Sequence, residues 1–384
     1  MDKLEELVQA HCPQGAKYVL LESVCQISKG IQFNKSDMND SGTYPVINGG
    51  ITASGYIEQY NQEENTITIS QGGASAGYVN WIETKFWAGA HCYVLKPSDK
   101  VLNRYLFHFV KSKEQKLQEC QYGAGIPALA KSTVASLQIP LPPLPVQQEI
   151  VRILDSFTEL TAELTAELTA RRKQYEHYRD ELLTFGDDVP RKTVQDVCKK
   201  IFSGGTPSTK HSEYYGGSIP WFRTQEVDWC DITDTGIKIT KDGLKKSSAK
   251  WIPKNCVIVA MYGATAAKVA VNKIALTTNQ ACCNLEIDEA VALYRYVFYW
   301  LSNEYTRLKS LGQGSQSNIS GEIVKNYPIP VPSIEQQRCI VHTLDRFDAI
   351  CNDLTSGLPA EIAARQKQYE YYRDKLLTFK ELER

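Results

Sequence analysis

Gln147-Gln148-Glu149-Ile150-Val151-Arg152-Ile153-Leu154-Asp155-Ser156-Phe157 and Gln337-Arg338-Cys339-Ile340-Val341-His342-Thr343-Leu344-Asp345-Arg346-Phe347 are two copies of one pattern, set 190 residues apart. Each follows a proline-rich entry, Ile139-Pro140-Leu141-Pro142 and Ile329-Pro330-Val331-Pro332. Further on, Lys173-Gln174-Tyr175-Glu176 with Tyr178-Arg179-Asp180 and Leu182-Leu183-Thr184-Phe185 returns as Lys367-Gln368-Tyr369-Glu370, Tyr372-Arg373-Asp374 and Leu376-Leu377-Thr378-Phe379, now 194 residues away. A repeat of this length and order marks a tandem duplication.

The repeated segments read as long helices. Ile150, Leu154, Phe157, Thr161, Leu164, Leu168, Arg171, Tyr175, Tyr178, Leu182 and Phe185 keep alternating four- and three-residue steps, the seam of a coiled coil. At 1.5 Å per residue such a helix over 146–185 spans about 60 Å. The second copy keeps the seam through Ile340, Leu344, Phe347, Cys351, Leu354 and Leu358, then resumes at Ile362 and Arg365 after two successive fours. That four-residue stutter accounts for the change of offset, and Ser356-Gly357 and Pro359 predict a break there. In the first copy Thr161-Ala162-Glu163-Leu164 is repeated at once as Thr165-Ala166-Glu167-Leu168. This is either a solvated helix with a Leu seam or a ruler adjustable by one turn, about 6 Å per four residues.

The segments ahead of the helices match more faintly but in the same order. Thr66 to Ile69 alternates like a half-buried strand, runs into Gly72-Gly73-Ala74-Ser75-Ala76-Gly77, and is followed by a second short strand, Tyr78 to Trp81. Cys256 to Ala260, Gly263-Ala264-Thr265-Ala266 and Lys268 to Val271 repeat that plan. Helical stretches are expected over 102–119 and 292–309, and Gly123-x-Gly125 and Gly312-x-Gly314 each precede the Ile-Pro entry as loop turns. The expected fold is α+β: two similar mixed globules and two long antiparallel helices serving as a spacer. The boundaries are an N-terminal segment 1–15, globules 16–145 and 189–332, and helices 146–188 and 333–384.

The chain has 384 residues, 42% of them hydrophobic and 23% charged, which excludes disordered, collagenous and low-complexity classes. No window approaches 18 uncharged apolar residues, and Met1 to Glu6 is charged where a signal peptide needs an apolar core, so a soluble cytoplasmic protein is expected. Eleven cysteines without a C-x-x-C pair read as reduced core residues, and no metal site is expected. Net charge is −1, yet it is segregated: 190–332 holds 18 Lys/Arg against 12 Asp/Glu, whereas 146–188 holds 5 against 10. A basic globule beside an acidic helix suits a polyanion footprint next to a protein-facing spacer.

No phosphate loop, dinucleotide fingerprint, nucleophile elbow, H-E-x-x-H or N-P-P-[YF] methylation motif occurs, so the chain is not expected to be an enzyme or to hold a cofactor. The positive signals are polar, glycine-rich loops between strands: Ser203-Gly204-Gly205-Thr206-Pro207-Ser208-Thr209-Lys210, Ser70-Gln71-Gly72-Gly73 and Gln313-Gly314-Ser315-Gln316-Ser317-Asn318. Bare amides, hydroxyls and carboxamides approach phosphates and base edges closely, although solvent-exposed turns have the same composition. Arg223, after Ile219-Pro220-Trp221-Phe222, either reads guanine or forms a surface ion pair.

With its duplicated Pro-rich entry and Gln-x-x-Ile-Val-x-x-Leu-Asp helix, and with Ser203-Gly204-Gly205-Thr206-Pro207-Ser208 beside Ile219-Pro220-Trp221, the chain resembles specificity subunits of type I restriction-modification systems over essentially its whole length. The resemblance implies that each globule is a target recognition domain reading half of a bipartite DNA site. The helices then act as spacer and as docking surface for two methyltransferase subunits, with restriction motor subunits joining indirectly. S-adenosylmethionine and ATP would bind on those partners. Candidate DNA contacts are Lys29, Asn48, Gln71, Ser75 and Lys131 in the first domain. In the second they are Ser203, Thr206, Ser208, Lys210, Arg223, Tyr262, Thr265, Gln313, Ser315 and Gln316. Candidate spacer and partner positions are Leu154, Phe157, Leu164, Leu168, Leu344, Phe347, Leu354 and Leu376. The first domain departs from the pattern with Ser28-Lys29-Gly30 in place of the Ser-Gly-Gly-Thr-Pro loop. Two other readings are a coiled-coil scaffold binding proteins through its globular ends, and a fused methyltransferase-specificity chain, which the missing methylation motif argues against. A scaffold would select no gapped DNA consensus.

Overall fold

A computed structural model of the chain describes residues 2–39, 41–123, 125–313, 318–353 and 355–382. Leu354, Ser315 and Gln316 fall outside the described residues. The chain divides into two compact units, unit 1 comprising Met1–Ala166 with Ala360–Arg384, and unit 2 Glu167–Pro359.

In unit 1 the alternating apolar segments form a four-stranded antiparallel sheet in the order Cys25–Lys29, Cys92–Pro97, Thr66–Ser70, Val79–Ile82. A smaller sheet places Tyr44–Ile47 between Tyr56–Ile57 and, in parallel, Trp87–Ala88. Unit 2 repeats the plan with Cys198–Ser203, Cys282–Ile287, Val257–Ala260 and Val269–Asn272, extended by Asp231–Ile232. Its second sheet sets Tyr215–Phe222 against Leu276–Thr278, again in parallel. The duplication read from the sequence is thus present in three dimensions. The Thr66–Ser70 strand departs from the expected half-burial, since every residue in it is buried. Ile67 and Ile69 enter the main core of unit 1, while Ile82, Cys92 and Val94 build a second small core.

The helix Leu144–Leu182 runs uninterrupted, and the second helical segment is split into Ile334–Asn352 and Leu358–Leu376, as the stutter predicts. The turn between them is tied by Asp353, whose carboxylate accepts from Thr355 and Ser356 and is thereby held far below the usual range. Within unit 1, Phe157 stacks on Tyr372 at 5.3 Å. In unit 2, Phe347 packs on Tyr175 and Tyr178 while Arg172 and Cys351 line one cleft, so the two helices there run in opposite directions. Leu154, Leu344 and Leu376 are buried, but Leu164 and Leu168 are only half-buried. The full buried-leucine penalty of about 2–5 kcal/mol therefore belongs to Leu154 and Leu344, not to Leu164 and Leu168.

The cysteine reading needs a similar correction. Cys12, Cys25, Cys92, Cys256, Cys282, Cys283 and Cys351 are buried, whereas Cys120 and Cys339 are exposed. Burial pushes the Cys25 and Cys283 thiols up to about 12.

Apolar packing holds each globule to its helix, and the glutamine of the repeated motif fixes the joint. Gln147 is fully buried; its Oε1 accepts from the Leu102 amide (2.9 Å), and its Nε2 donates to the carbonyls of Pro142 (2.8 Å) and Lys100 (3.1 Å). Gln337 does the same with the Leu293 amide and the carbonyls of Pro332 and Val291, at 2.8, 2.9 and 3.3 Å. An ion pair reinforces each joint, Arg104 to Asp155 and Arg295 to Asp345, both 2.7 Å. One position differs. Buried His108 sets Nε2 2.9 Å from Asp155 and Nδ1 3.0 Å from the Tyr369 hydroxyl, where unit 2 has Tyr299 donating to Asp345 at 2.5 Å. A carboxylate only accepts, so Nε2 carries the proton and Tyr369 donates to Nδ1. Burial pushes His108 below its ordinary value despite the Asp155 carboxylate. Asp155 is also lowered, because the hydrogen bonds from His108 and Arg104 outweigh the upward push of burial.

Replacing Gln147 by Leu orphans one amide and two carbonyls at about 1–3 kcal/mol each, so urea unfolding should shift by roughly 3 kcal/mol or more; a shift too small to resolve would remove the carboxamide from this role. His108 makes unit 1 sensitive to acid. A histidine lowered in the folded state contributes stability above its unfolded value of about 6.5, and that contribution is lost as pH falls. Amide exchange in the helix Asn103–Ser112 should accelerate between about pH 7.5 and 5.5 beyond the intrinsic pH effect. His108→Asn, which still offers Asp155 a donor, should flatten that dependence, and identical profiles would contradict the assignment.

Candidate nucleic-acid interface

The strand Thr66–Ser70 leaves its sheet into Gln71–Gly77 and returns as Val79–Ile82. The turn is shaped by backbone bonds from Gly77 to Ser70 (2.8 Å), Ala76 to Gly73 (3.0 Å) and Tyr78 to Ser75 (2.9 Å). In unit 2 the same three bonds run from Ala267 to Ala260, Ala266 to Gly263 and Lys268 to Thr265, at 2.8, 3.0 and 2.9 Å. Gly73 and Gly263 take φ of +85° and +82°, the left-handed region that favours glycine. One loop is therefore built twice from different side chains.

Three further segments meet it. Leu129 donates to the Gln71 carbonyl and Ile319 to the Met261 carbonyl, at 2.7 and 2.9 Å, which brings in the bridged pairs Tyr122 with Ala128 and Gln313 with Asn318. Gln71 donates to the His91 carbonyl and Met261 to that of Ala281, both 2.8 Å. Gly89 donates to Ile47 and Asn279 to Phe222, at 2.8 and 2.9 Å, so Asn48 and Arg223 follow equivalent strands into equivalent places. The sheet edge closes in through Gly30 and Gly204, where a Cβ would lie 2.2 and 2.0 Å from the carbonyl oxygens of Ala88 and Thr278. Only glycine fits, which shows that Ser28-Lys29-Gly30 occupies the place of Ser203-Gly204 despite its different sequence.

The structure gathers Lys29, Asn48, Gln71 and Ser75 around this loop set in unit 1, with Lys131 beginning the short helix just beyond Leu129. The loop segments 48–55, 71–77, 88–91 and 121–131 contain no Asp or Glu. Asn48 Oδ1 accepts from the His91 amide at 3.2 Å. In unit 2 it gathers Ser203, Thr206, Arg223, Tyr262, Thr265 and Gln313. Thr265 donates to the Thr224 carbonyl at 2.8 Å, and Thr206 donates to Gln280. Arg223 Nε is engaged by Glu226 at 3.1 Å, the ion-pair alternative; guanine recognition uses a pair of guanidinium N–H groups. Ser208 and Lys210 are exposed in the turn before Ser212–Tyr214, and no hydrogen bond among the described residues joins them to the loops. The sequence reading missed His91, Thr224, Asn279 and Gln280. For Asn279 and Gln280 the signal was the 190-residue offset, which sets them where Gly89-Ala90 stands, whereas Thr224 lies 175 residues from its counterpart Gly49 and gave none.

Chemically this surface offers hydroxyls, carboxamides, backbone amides and a guanidinium, the groups that read base edges and phosphates. A separate cleft of unit 2 is lined by Asp231, Glu289, Asp345, Asp348 and Asp353 together with Arg172, Lys273 and Arg295, and Asp231, Asp345 and Asp348 are paired there with Lys273 or Arg295.

The chain matches the family model for the type I restriction modification DNA specificity domain twice, over residues 13–171 and 187–364. It is 33% identical over 364 residues to the EcoR124I/EcoR124II specificity subunit of Escherichia coli, covering 89% of each chain. It is 30% identical to a putative type I restriction enzyme specificity subunit of Haemophilus influenzae, covering 90% of each. Among solved structures, the S subunit of a type I restriction-modification system from M. genitalium shares the fold with a TM-score of 0.65 at 19% identity, over 94% of this chain and 96% of that one. No helix among the described residues is long and apolar enough to cross a membrane.

Proposed function

Because this chain belongs to the type I restriction modification DNA specificity family, we propose that each globule reads one half of a bipartite, gapped DNA site while the helices set the gap and dock two methyltransferase subunits. The chain is a specificity subunit, not a catalyst. S-adenosylmethionine and ATP belong to its partners, the methyltransferase and restriction motor subunits of a cytoplasmic complex. The observation that carries this reading is the loop set built twice on one backbone plan with different side chains. Duplicated readers facing unlike base sequences need just that combination. The candidate contacts are those the loops bring together, with Asn48 and Arg223 as equivalent readers.

The decisive experiment is methylation profiling of cells carrying the assembled system. Exchanging residues 16–140 for the corresponding domain of a relative should change one half-site and leave the other intact; a swap that scrambles both would contradict independent reading. Arg223→Ala should relax one base position at a cost of roughly 1–3 kcal/mol, whereas unchanged selectivity would leave only its pairing with Glu226.

The repeat Thr161–Leu164 tests the helix as a ruler. Its threonines bond back along the helix, Thr161 to the Phe157 carbonyl at 2.8 Å and Thr165 to the Thr161 carbonyl at 2.7 Å. Deleting 161–164 removes one turn of about 6 Å, somewhat under two base-pair rises of about 3.4 Å. Tilt of the helix against the DNA and the unchanged length of its partner reduce the projected change. The expected result is a gap shorter by one or two base pairs with both half-site sequences kept. An unchanged gap would leave the repeat as solvated helix.

A further inference from the structure

The loops that meet in unit 1 expose three large apolar side chains. Ile51, Tyr122 and Ile126 are 58, 57 and 78% exposed. One exposed apolar side chain is ordinary, but these three lie on loops pinned to one another. Gly49, two residues before Ile51, sits so close that a Cβ there would lie 2.8 Å from the His91 carbonyl oxygen and 3.2 Å from that of Gly72. Gly72 pairs in turn with Ala128, and Ala128 with Tyr122, while Gly73 donates to the Pro127 carbonyl next to Ile126 at 2.8 Å. In unit 2 the residue paired in the place of Tyr122 is Gln313, and the sequence that follows it reads Gly314-Ser315-Gln316-Ser317 where unit 1 has Gly123-Ala124-Gly125-Ile126-Pro127. The sequence at this place is thus polar in unit 2 and carries Ile126 in unit 1.

Two facts choose the occupant. These loops contain no carboxylate, so a polyanion meets no repulsion. Several of their backbone bonds recur in the loops that carry hydroxyls and carboxamides in unit 2, from Leu129 and Ile319, Gln71 and Met261, and Gly89 and Asn279. In the major groove the apolar mark that distinguishes one base is the 5-methyl group of thymine, which apolar side chains contact.

We infer that unit 1 reads at least one thymine through its 5-methyl group, packed on Ile126 with Ile51 and Tyr122 beside it. This rests on the half-site reading proposed above. It also adds a methyl contact in unit 1 to hydrogen-bonding groups such as Asn48 and Gln71.

The test uses the complete modification complex with its methyltransferase subunits. Methylation profiling defines the gapped motif, and the half-site that changes on exchanging residues 16–140 belongs to unit 1. Duplexes then carry deoxyuridine in place of each thymine in turn, which deletes only the methyl. Burying one such group is worth about 0.8 kcal/mol, and 1.4 kcal/mol is a factor of ten, so one replacement should weaken binding about fourfold. Ile126→Ser should bind the thymine and deoxyuridine duplexes equally, and Ile126→Val, which keeps the branched methyls, should retain the loss. A unit 1 half-site without thymine, a wild-type complex indifferent to deoxyuridine, or the same loss in Ile126→Ser would overturn the inference. So would an Ile126→Ser chain that assembles poorly with methyltransferase subunits while its DNA selectivity is intact, since the patch would then face protein. A complex with no gapped motif would instead overturn the half-site reading itself.

Discussion

A buried carboxamide, used twice, sets everything else in this molecule. Gln147 and Gln337 each sit at the start of a long helix and replace a shell of water with one amide and two carbonyls from the connecting segments of the adjoining globule. Hydrophobic packing by Ile150, Leu154, Ile340 and Leu344 supplies most of the adhesion, but it is non-directional. The carboxamide fixes orientation, because its donors and acceptor have only one satisfied arrangement and leaving any of them unmade is costly in a buried site. Each globule is thereby held to its helix at one defined angle.

That rigidity permits variation elsewhere. In unit 1 the strand Thr66–Ser70 begins next to Asn103, whose side chain bonds the Asn65 carbonyl at 2.5 Å, one residue beyond the amide held by Gln147. It ends in the Gly-rich loop. The ties that assemble the loop set are almost all backbone to backbone, so side chains there are free to differ while the frame stays fixed. Ser75 and Thr265, Asn48 and Arg223, and Tyr122 and Gln313 are pairs of this kind. A framework in which orientation is set at one end of a strand and chemistry at the other suits a protein that must keep its assembly and vary its target.

Much of this was legible in the sequence. The offset repeat announced the duplication, and the stutter with Gly357 and Pro359 located the helix break at 353–357. The Gly-rich loops at Gly72-Gly73 and Gly263 pointed to segments that the structure brings together with the neighbouring loops. What was not legible came from through-space packing. The alternation of Thr66 to Ile69 cannot reveal that a second small core covers the other face of the sheet. The seam spacing gives no hint that Leu164 and Leu168 are less buried than Leu154. The equivalence of Asn48 with Arg223 was hidden because their strands differ in length and flanking sequence, and only pairing with Trp87–Ala88 and Leu276–Thr278 exposes it. Gln147 was visible as part of a motif, but its role is a matter of three partners that no spacing encodes.

The reading proposed above has equivalent loops in the two units contact separate halves of one DNA site. It is tested most directly by photocrosslinking from equivalent positions. A crosslinking residue placed at Ser75 in one preparation and at Thr265 in another, each in the assembled complex on a cognate duplex, reports which base pairs lie against each loop. Position 75 should crosslink within one half-site and position 265 within the other, with neither marking the gap. Crosslinks from both positions to the same half-site, or to the unspecified gap, would contradict it.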